Sequence, residues 1–117
     1  MNKRTVGSQK EEKAAKFLAD CGLHVIEHSF RDRFGEIDLI ARDGDTLVFI
    51  EVKYRKTAST GHPEEAVGIS KQKTISKVAA HYMLYRKYPA STSVRFDVVA
   101  IEGEDIRWHK NAFPFMG

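Results

Sequence analysis

The sequence predicts an α/β fold in which helices pack against a mixed central sheet, in the order α-β-β-β-α-β-β. Three observations lead there. Two segments, residues 8–21 and 70–88, carry apolar residues at helical spacing. Between them lie three strand-like runs, two of them joined by an Asp-Gly turn signal. Two more strand-like runs follow the second helix. With 117 residues the chain has room for a single domain, read as 1–117. A domain of this size buries roughly two thirds of its unfolded surface, enough to fold without disulfides or a structural metal.

The first helix is expected over Ser8 to Cys21. Ala14, Phe17, Leu18 and Cys21 form its apolar face, Ser8 and Glu11 match a capping box, and Gly22 ends it. Cys21 is expected to be a small core residue. Leu23 to Phe30 reads as a strand, and Phe34 to Ala41 as a second, centred on Ile37-Asp38-Leu39-Ile40. Arg42-Asp43-Gly44-Asp45 is a tight turn into a third strand, Thr46 to Arg55. Its Leu47-Val48-Phe49-Ile50 start is apolar on both faces, the mark of a central strand. The polar stretch Thr57 to Gly68 is a long loop. Ser70 is the expected N-cap of a second helix reaching Tyr88, with Ile75, Val78, Ala79 and Tyr82 buried and Pro89 just beyond. Val94 to Ile101 and Ile106 to His109 are the last strands. In the tail, Phe113 and Phe115 are expected to cover an edge or pack on the core.

Composition narrows the function classes. Charged residues make up 30% and hydrophobic residues 42%, an ordinary globular balance that excludes general disorder. A net charge of +3 permits a polyanionic partner without proving one. The single cysteine excludes a disulfide framework within the chain and a zinc site built on paired thiolates. No apolar run approaches the length of a membrane span, and no apolar stretch follows Lys3 and Arg4 as a secretory signal requires. A cytoplasmic protein is the expectation.

The chemistry concentrates around the Asp-Gly turn. Asp38 sits between Ile37 and Leu39, and Glu51 and Lys53 continue a run of apolar residues. Carboxylates in such strands are costly unless paired or bound to a cation. Strand alternation puts Glu51 and Lys53 on one face. Asp38 and Glu51 are nearly equidistant from the turn, so a hairpin sets them about one strand spacing apart. Two readings follow: a structural ion-pair network of Asp38, Glu51 and Lys53, or a site for the hard cation Mg²⁺ or Mn²⁺ with a lysine beside it. The second suits phosphodiester hydrolysis. Glu36, two residues before Asp38, shares its strand face; it is placed to support the site, but the reading preferred is a half-exposed strand-end carboxylate.

Gly35-Glu36-Ile37-Asp38-Leu39-Ile40-Ala41 followed by Phe49-Ile50-Glu51-Val52-Lys53-Tyr54-Arg55 resembles the PD-(D/E)xK nuclease motif. More closely, the chain resembles the YraN-like family of small bacterial proteins. That likeness runs over nearly the whole chain, from Glu11, Ala14 and Phe17-Leu18 to Lys71 and Arg95-Phe96-Asp97-Val98-Val99. It implies a restriction-endonuclease-like fold, close in layout to archaeal Holliday-junction resolvases. It also implies that Asp38 and Glu51 are metal ligands, with the Val52 carbonyl a third and Mg²⁺ or Mn²⁺ the cofactor. Lys53 would be the catalytic lysine, and Glu11 would join the site from the first helix. Two positions depart from the pattern. Ile37 stands where the motif has proline, and Lys10 where the family usually has glycine before the helix glutamate.

Arg31, Arg33, Arg55 and Lys71 are the expected phosphate-binding group, since such residues grip a nucleic-acid backbone without reading sequence. Lys73 and Lys77 lie near Lys71 on the same helix. Tyr54 and Tyr85 could stack on bases, whereas Tyr82 belongs to the core stripe. None of the five histidines is assigned to a metal. The expectation is a metal-dependent nuclease acting on DNA, with a homodimer suited to cutting two strands. The alternative is a non-catalytic nucleic-acid-binding module of the same fold.

Overall fold

The computed structural model describes residues 6–56, 62–63 and 67–116, with the side chains of residues 6 and 7 left aside. The elements are α1 (Val6–Asp20), β1 (His24–Asp32), β2 (Gly35–Asp43), β3 (Thr46–Arg55), α2 (Ile69–Tyr85), β4 (Ser93–Glu102) and β5 (Asp105–His109). The order is the expected one. Most of the expected loop over residues 57–68 lies outside the described residues. No helix among them is long and apolar enough to cross a membrane.

The strands form one mixed sheet in the order β1-β2-β3-β4-β5. All pairs are antiparallel except β3 and β4, which run parallel from Thr46↔Ser93 to Arg55↔Glu102. A parallel pair needs a crossover, and α2 supplies it. Alternation along β3 builds a core on each face of the sheet. Val48 and Ile50 pack with Ala14, Ala15 and Leu18 of α1, while Leu47 and Phe49 pack with Ile75, Val78, Ala79 and Tyr82 of α2. This three-layer arrangement is consistent with a restriction-endonuclease-like fold.

Four local expectations change. α1 starts at Val6, so Ser8 lies inside the helix rather than capping it. Cys21 is exposed, because the chain turns away through Gly22 at φ 101° while the Leu23 amide closes onto the Leu18 carbonyl at 3.0 Å. α2 is capped at Gly68 with no side-chain hydrogen bond, and Ser70 is already helical. The Gln72 amide donates to the Gly68 carbonyl at 3.0 Å, and the Gln72 side chain donates to the Val67 carbonyl at 3.1 Å. In the β2–β3 turn Asp43 pairs with Thr46, which leaves Gly44-Asp45 at the centre. Gly44 takes the positive φ of 62° that a two-residue hairpin needs.

The C-terminal segment is tied down. Phe113 is buried against Phe96, whereas Phe115 is 55% exposed. The Met116 amide donates to the buried Ser76 hydroxyl of α2 at 2.9 Å. Asp97 of β4 is fully buried and anchors this end. It accepts from Nε and Nη2 of Arg95, from the Trp108 indole and from the Asn111 amide, each at 2.9 Å. A carboxylate with that many donors is a satisfied structural group.

Candidate metal centre

The site arises where regular pairing stops. The β2–β3 ladder runs from Asp43↔Thr46 to Leu39↔Ile50, and the next position sets Asp38 against Glu51. There the Val52 amide donates to Asp38 Oδ2 at 2.8 Å, a side chain taking the place of a backbone acceptor. On the other side of β2, pairing with β1 passes from His28↔Leu39 to Phe30↔Ile37, skipping Asp38 and the Ser29 opposite it. Ser29 has φ 53°, a left-handed conformation uncommon for a residue with a side chain. The alternation of β2 breaks at the same point. Ile37 packs in the α2-side core, while Leu39, two residues on, packs in the α1-side core.

This irregularity gathers acids from three elements. Glu11 of α1 and Glu36 and Asp38 of β2 each offer an oxygen, all within 4.8 Å of one another. Ser29 Oγ donates to Glu11 Oε1 at 2.8 Å, so the left-handed serine also orients the helix glutamate. Glu51 of β3 adjoins the cluster through a hydrogen bond between its carboxyl and that of Asp38. It is only 4% exposed, and its Oε2 lies 3.3 Å from Lys53 Nζ and 3.4 Å from Lys71 Nζ. Lys71 arrives from the first turn of α2.

The charges do not balance. Among the described residues, four carboxyl groups meet three cations, and these are unevenly placed: two ammonium groups sit on Glu51 and the exposed Arg31 guanidinium on Glu36. Asp38 feels this most. Burial, then the neighbouring Glu51 charge, pushes its carboxyl up to about 9. Burial also raises Glu11, with the Ser29 hydrogen bond working against it. Within the Asp38–Glu51 pair the proton belongs on Asp38, because Glu51 has the lysines. Oxygen-only donors short of positive charge, meeting at one point, fit a hard divalent cation.

The sequence profile described as "Uncharacterised protein family UPF0102" matches residues 10–101, most of the chain and every acid of this cluster. The chain belongs to the UPF0102 family. Similar proteins are described as UPF0102 proteins. One from Lachnoclostridium phytofermentans is 46% identical, covering 100% of this chain and 99% of its own. Another, from Syntrophus aciditrophicus, is 47% identical over 96% of this chain and 90% of its own. A third, from Caldicellulosiruptor saccharolyticus, is 41% identical over 97% of this chain and 100% of its own.

In this UPF0102 chain the structure brings Glu11, Asp38, Glu51, Lys53 and Lys71 together. Val52 pairs with Val99 in the parallel ladder and gives its amide to Asp38. Arg55 follows Lys53 by two residues at the end of β3, on the same strand face. Arg31 is exposed and bound to Glu36 at 3.0 Å, so it reaches the cluster through that carboxylate. Arg33 is exposed at the β1–β2 tip, its guanidinium 4.9 Å from the centre of the Phe34 ring, and does not join the cluster. Glu36 is the acid that sequence reading set aside. Its two-residue spacing from Asp38 was the available signal. Ser29 carried no signal, since its part depends on a backbone angle.

Proposed function

We propose that this chain is a divalent-metal-dependent phosphodiesterase that hydrolyses DNA. The observation that carries the reading is the meeting of Glu11, Glu36 and Asp38 within 4.8 Å beside the buried Glu51 and its two lysines. Glu11, Glu36, Asp38 and Glu51 are the residues that would hold Mg²⁺ or Mn²⁺. When bound, the ion supplies Lewis-acid polarisation of a phosphoryl oxygen and acidifies water for attack. Lys53 keeps its ammonium beside Glu51 with 28% of its side chain exposed, so it can meet a phosphate without leaving its partner. Its charge offsets the negative charge that grows on the phosphorus oxygens. Lys71, 39% exposed, positions the adjacent phosphate.

A DNA-binding module without turnover accounts for the lysines but leaves the acids unexplained. Converging carboxylates repel a phosphate backbone unless a cation lies between them. A purely structural ion-pair network involves Glu51, Lys53 and Lys71 and, among the described residues, gives Glu11, Glu36 and Asp38 no salt-bridge partner beyond Arg31 on Glu36. The test is cleavage of end-labelled duplex, single-stranded, flap and four-way-junction DNAs in Mg²⁺ or Mn²⁺. Wild type runs beside Asp38→Ala and Lys53→Ala. Cleavage lost in both variants is the expected result. A folded wild type that binds the cation and DNA but cuts none of the substrates overturns the proposal in favour of the binding module.

A further inference from the structure

One face of α2 lies along the β1–β2 hairpin and leads away from the carboxylate cluster. Thr74 meets Gly35 so closely that a Cβ added at Gly35 would stand 2.7 Å from the threonine methyl. Lys77 Nζ lies 4.9 Å from the centre of the Phe34 ring, and the His81 ring packs on Phe34 at 4.6 Å. The face ends at a cavity of about 450 Å³ lined by Phe30, Arg31, Asp32, His81, Leu84 and Tyr85. Tyr85 is 69% exposed and Leu84 76%, and both line the cavity, so its apolar wall is open to an incoming group. Asp32 fixes the cavity's polar side. Its Oδ1 accepts from the Phe34 and Gly35 amides, and its Oδ2 pairs with His81 Nδ1 at 3.2 Å. With Nδ1 on the carboxylate, the ring's other nitrogen is left for a hydrogen bond to a ligand.

We propose that this cavity is a subsite for an unpaired nucleobase, stacked on Tyr85 with its polar edge at the His81–Asp32 pair. The inference rests on the nuclease reading for its substrate and deepens it. The chemistry selects a base over other occupants. Arg33 and Lys77 place positive charge at the approach to the cavity, suited to a nucleic-acid strand, while Arg31 and Arg86 beside it are held by Glu36 and Glu27. Asp32 disfavours a phosphate inside the cavity, while a neutral, flat, hydrogen-bonding group meets both an aromatic wall and a polar edge. A base within a duplex is stacked on both sides and must be flipped out to enter. The subsite therefore favours DNA with an unpaired base at a set distance from the cleaved bond. Lys71 and His81 are ten residues apart on α2. That is about 15 Å along the helix, or on the order of four nucleotides of a helical strand at about 3.4 Å each.

The experiment measures binding of the full chain, in Ca²⁺ so that a cation screens the carboxylates from the phosphate backbone, to a blunt duplex and to the same duplex with a single-stranded extension of about six nucleotides at either end. Each extension position in turn carries 2-aminopurine, whose fluorescence falls on stacking. Tyr85→Ala and Tyr85→Phe are compared with wild type, their thermal midpoints confirming the fold. The extension should tighten wild-type binding about tenfold, the scale of one base–aromatic stack. Tyr85→Ala should remove the gain, Tyr85→Phe should keep it, and quenching should peak about four nucleotides out. A gain that is absent in wild type, or that survives Tyr85→Ala, overturns the subsite. Cleavage of the same DNAs in Mg²⁺ separates the two readings. Cutting indifferent to Tyr85 retains the nuclease and removes the subsite. Tyr85-dependent binding without cutting retains the subsite and removes the nuclease. Failure to bind any of the DNAs removes both.

Discussion

Asp38 holds a proton that an ordinary aspartate has lost. Its carboxyl is pushed from 3.8 up to about 9 by burial and by Glu51. Between those values the folded chain keeps a proton that the unfolded chain has released. The stability linked to it is complete below the unfolded value and is lost as pH rises through the folded one. The metal-free protein should therefore melt at progressively lower temperature as pH rises from about 5 to about 9. Asp38→Asn should flatten that slope in a scanning-calorimetry series and also abolish metal-dependent cleavage. A slope of the same steepness in the variant would count against the cluster as its origin. Lys53 separates turnover from folding. Lys53→Ala should cut cleavage by at least about 10²-fold, as removal of a charge-stabilising donor does. It should cost only about 1 kcal/mol of stability, since Lys71 still pairs with Glu51 at 3.4 Å.

The elements show what sequence could and could not tell. The α2 stripe of Ile75, Val78, Ala79 and Tyr82 was legible because helical spacing encodes burial directly, and all four are buried. The approach of Asp38 to Glu51 was legible because a short turn fixes hairpin register. The start of α2 was not, because backbone contacts at Gly68 and the Gln72 side chain replace the serine cap. Glu36 is the partly exposed carboxylate near the strand end that its position announced, but its meeting with Glu11 and Asp38 depends on a break in β2 and on the φ of Ser29, which no residue pattern announces. Asp97 appeared only inside a family likeness, since its donors come from β4, β5 and the tail. Two substitutions test these contacts by urea denaturation. Asp97→Ala should cost about 3–5 kcal/mol by leaving Arg95 and Trp108 without their acceptor. Gly35→Ala should cost about 1–3 kcal/mol by forcing Thr74 and α2 off the hairpin tip.

On the scale of the whole molecule, a cation that binds only the folded chain must stabilise it. Mg²⁺ at about 100 times its dissociation constant adds about 2.7 kcal/mol, worth on the order of 10 °C in a domain of this size. Thermal scans with and without Mg²⁺ should show that rise in wild type, and it should vanish in Asp38→Asn. The single parallel pair has a consequence for how the molecule assembles. β1, β2 and β3 join through short turns, whereas β3 waits for a partner whose first paired residue, Ser93, is 47 positions beyond Thr46. Closing that distance is the slow step that non-local contacts impose. The early α1 and β1–β3 half contains all four acids, but one of the two lysines on Glu51, Lys71, comes only with α2. A nascent chain thus meets its own like-charge repulsion before the relief arrives. Refolding followed by stopped flow should quicken when Mg²⁺ is added or the pH is lowered toward about 5, and Asp38→Asn should refold quickly without either.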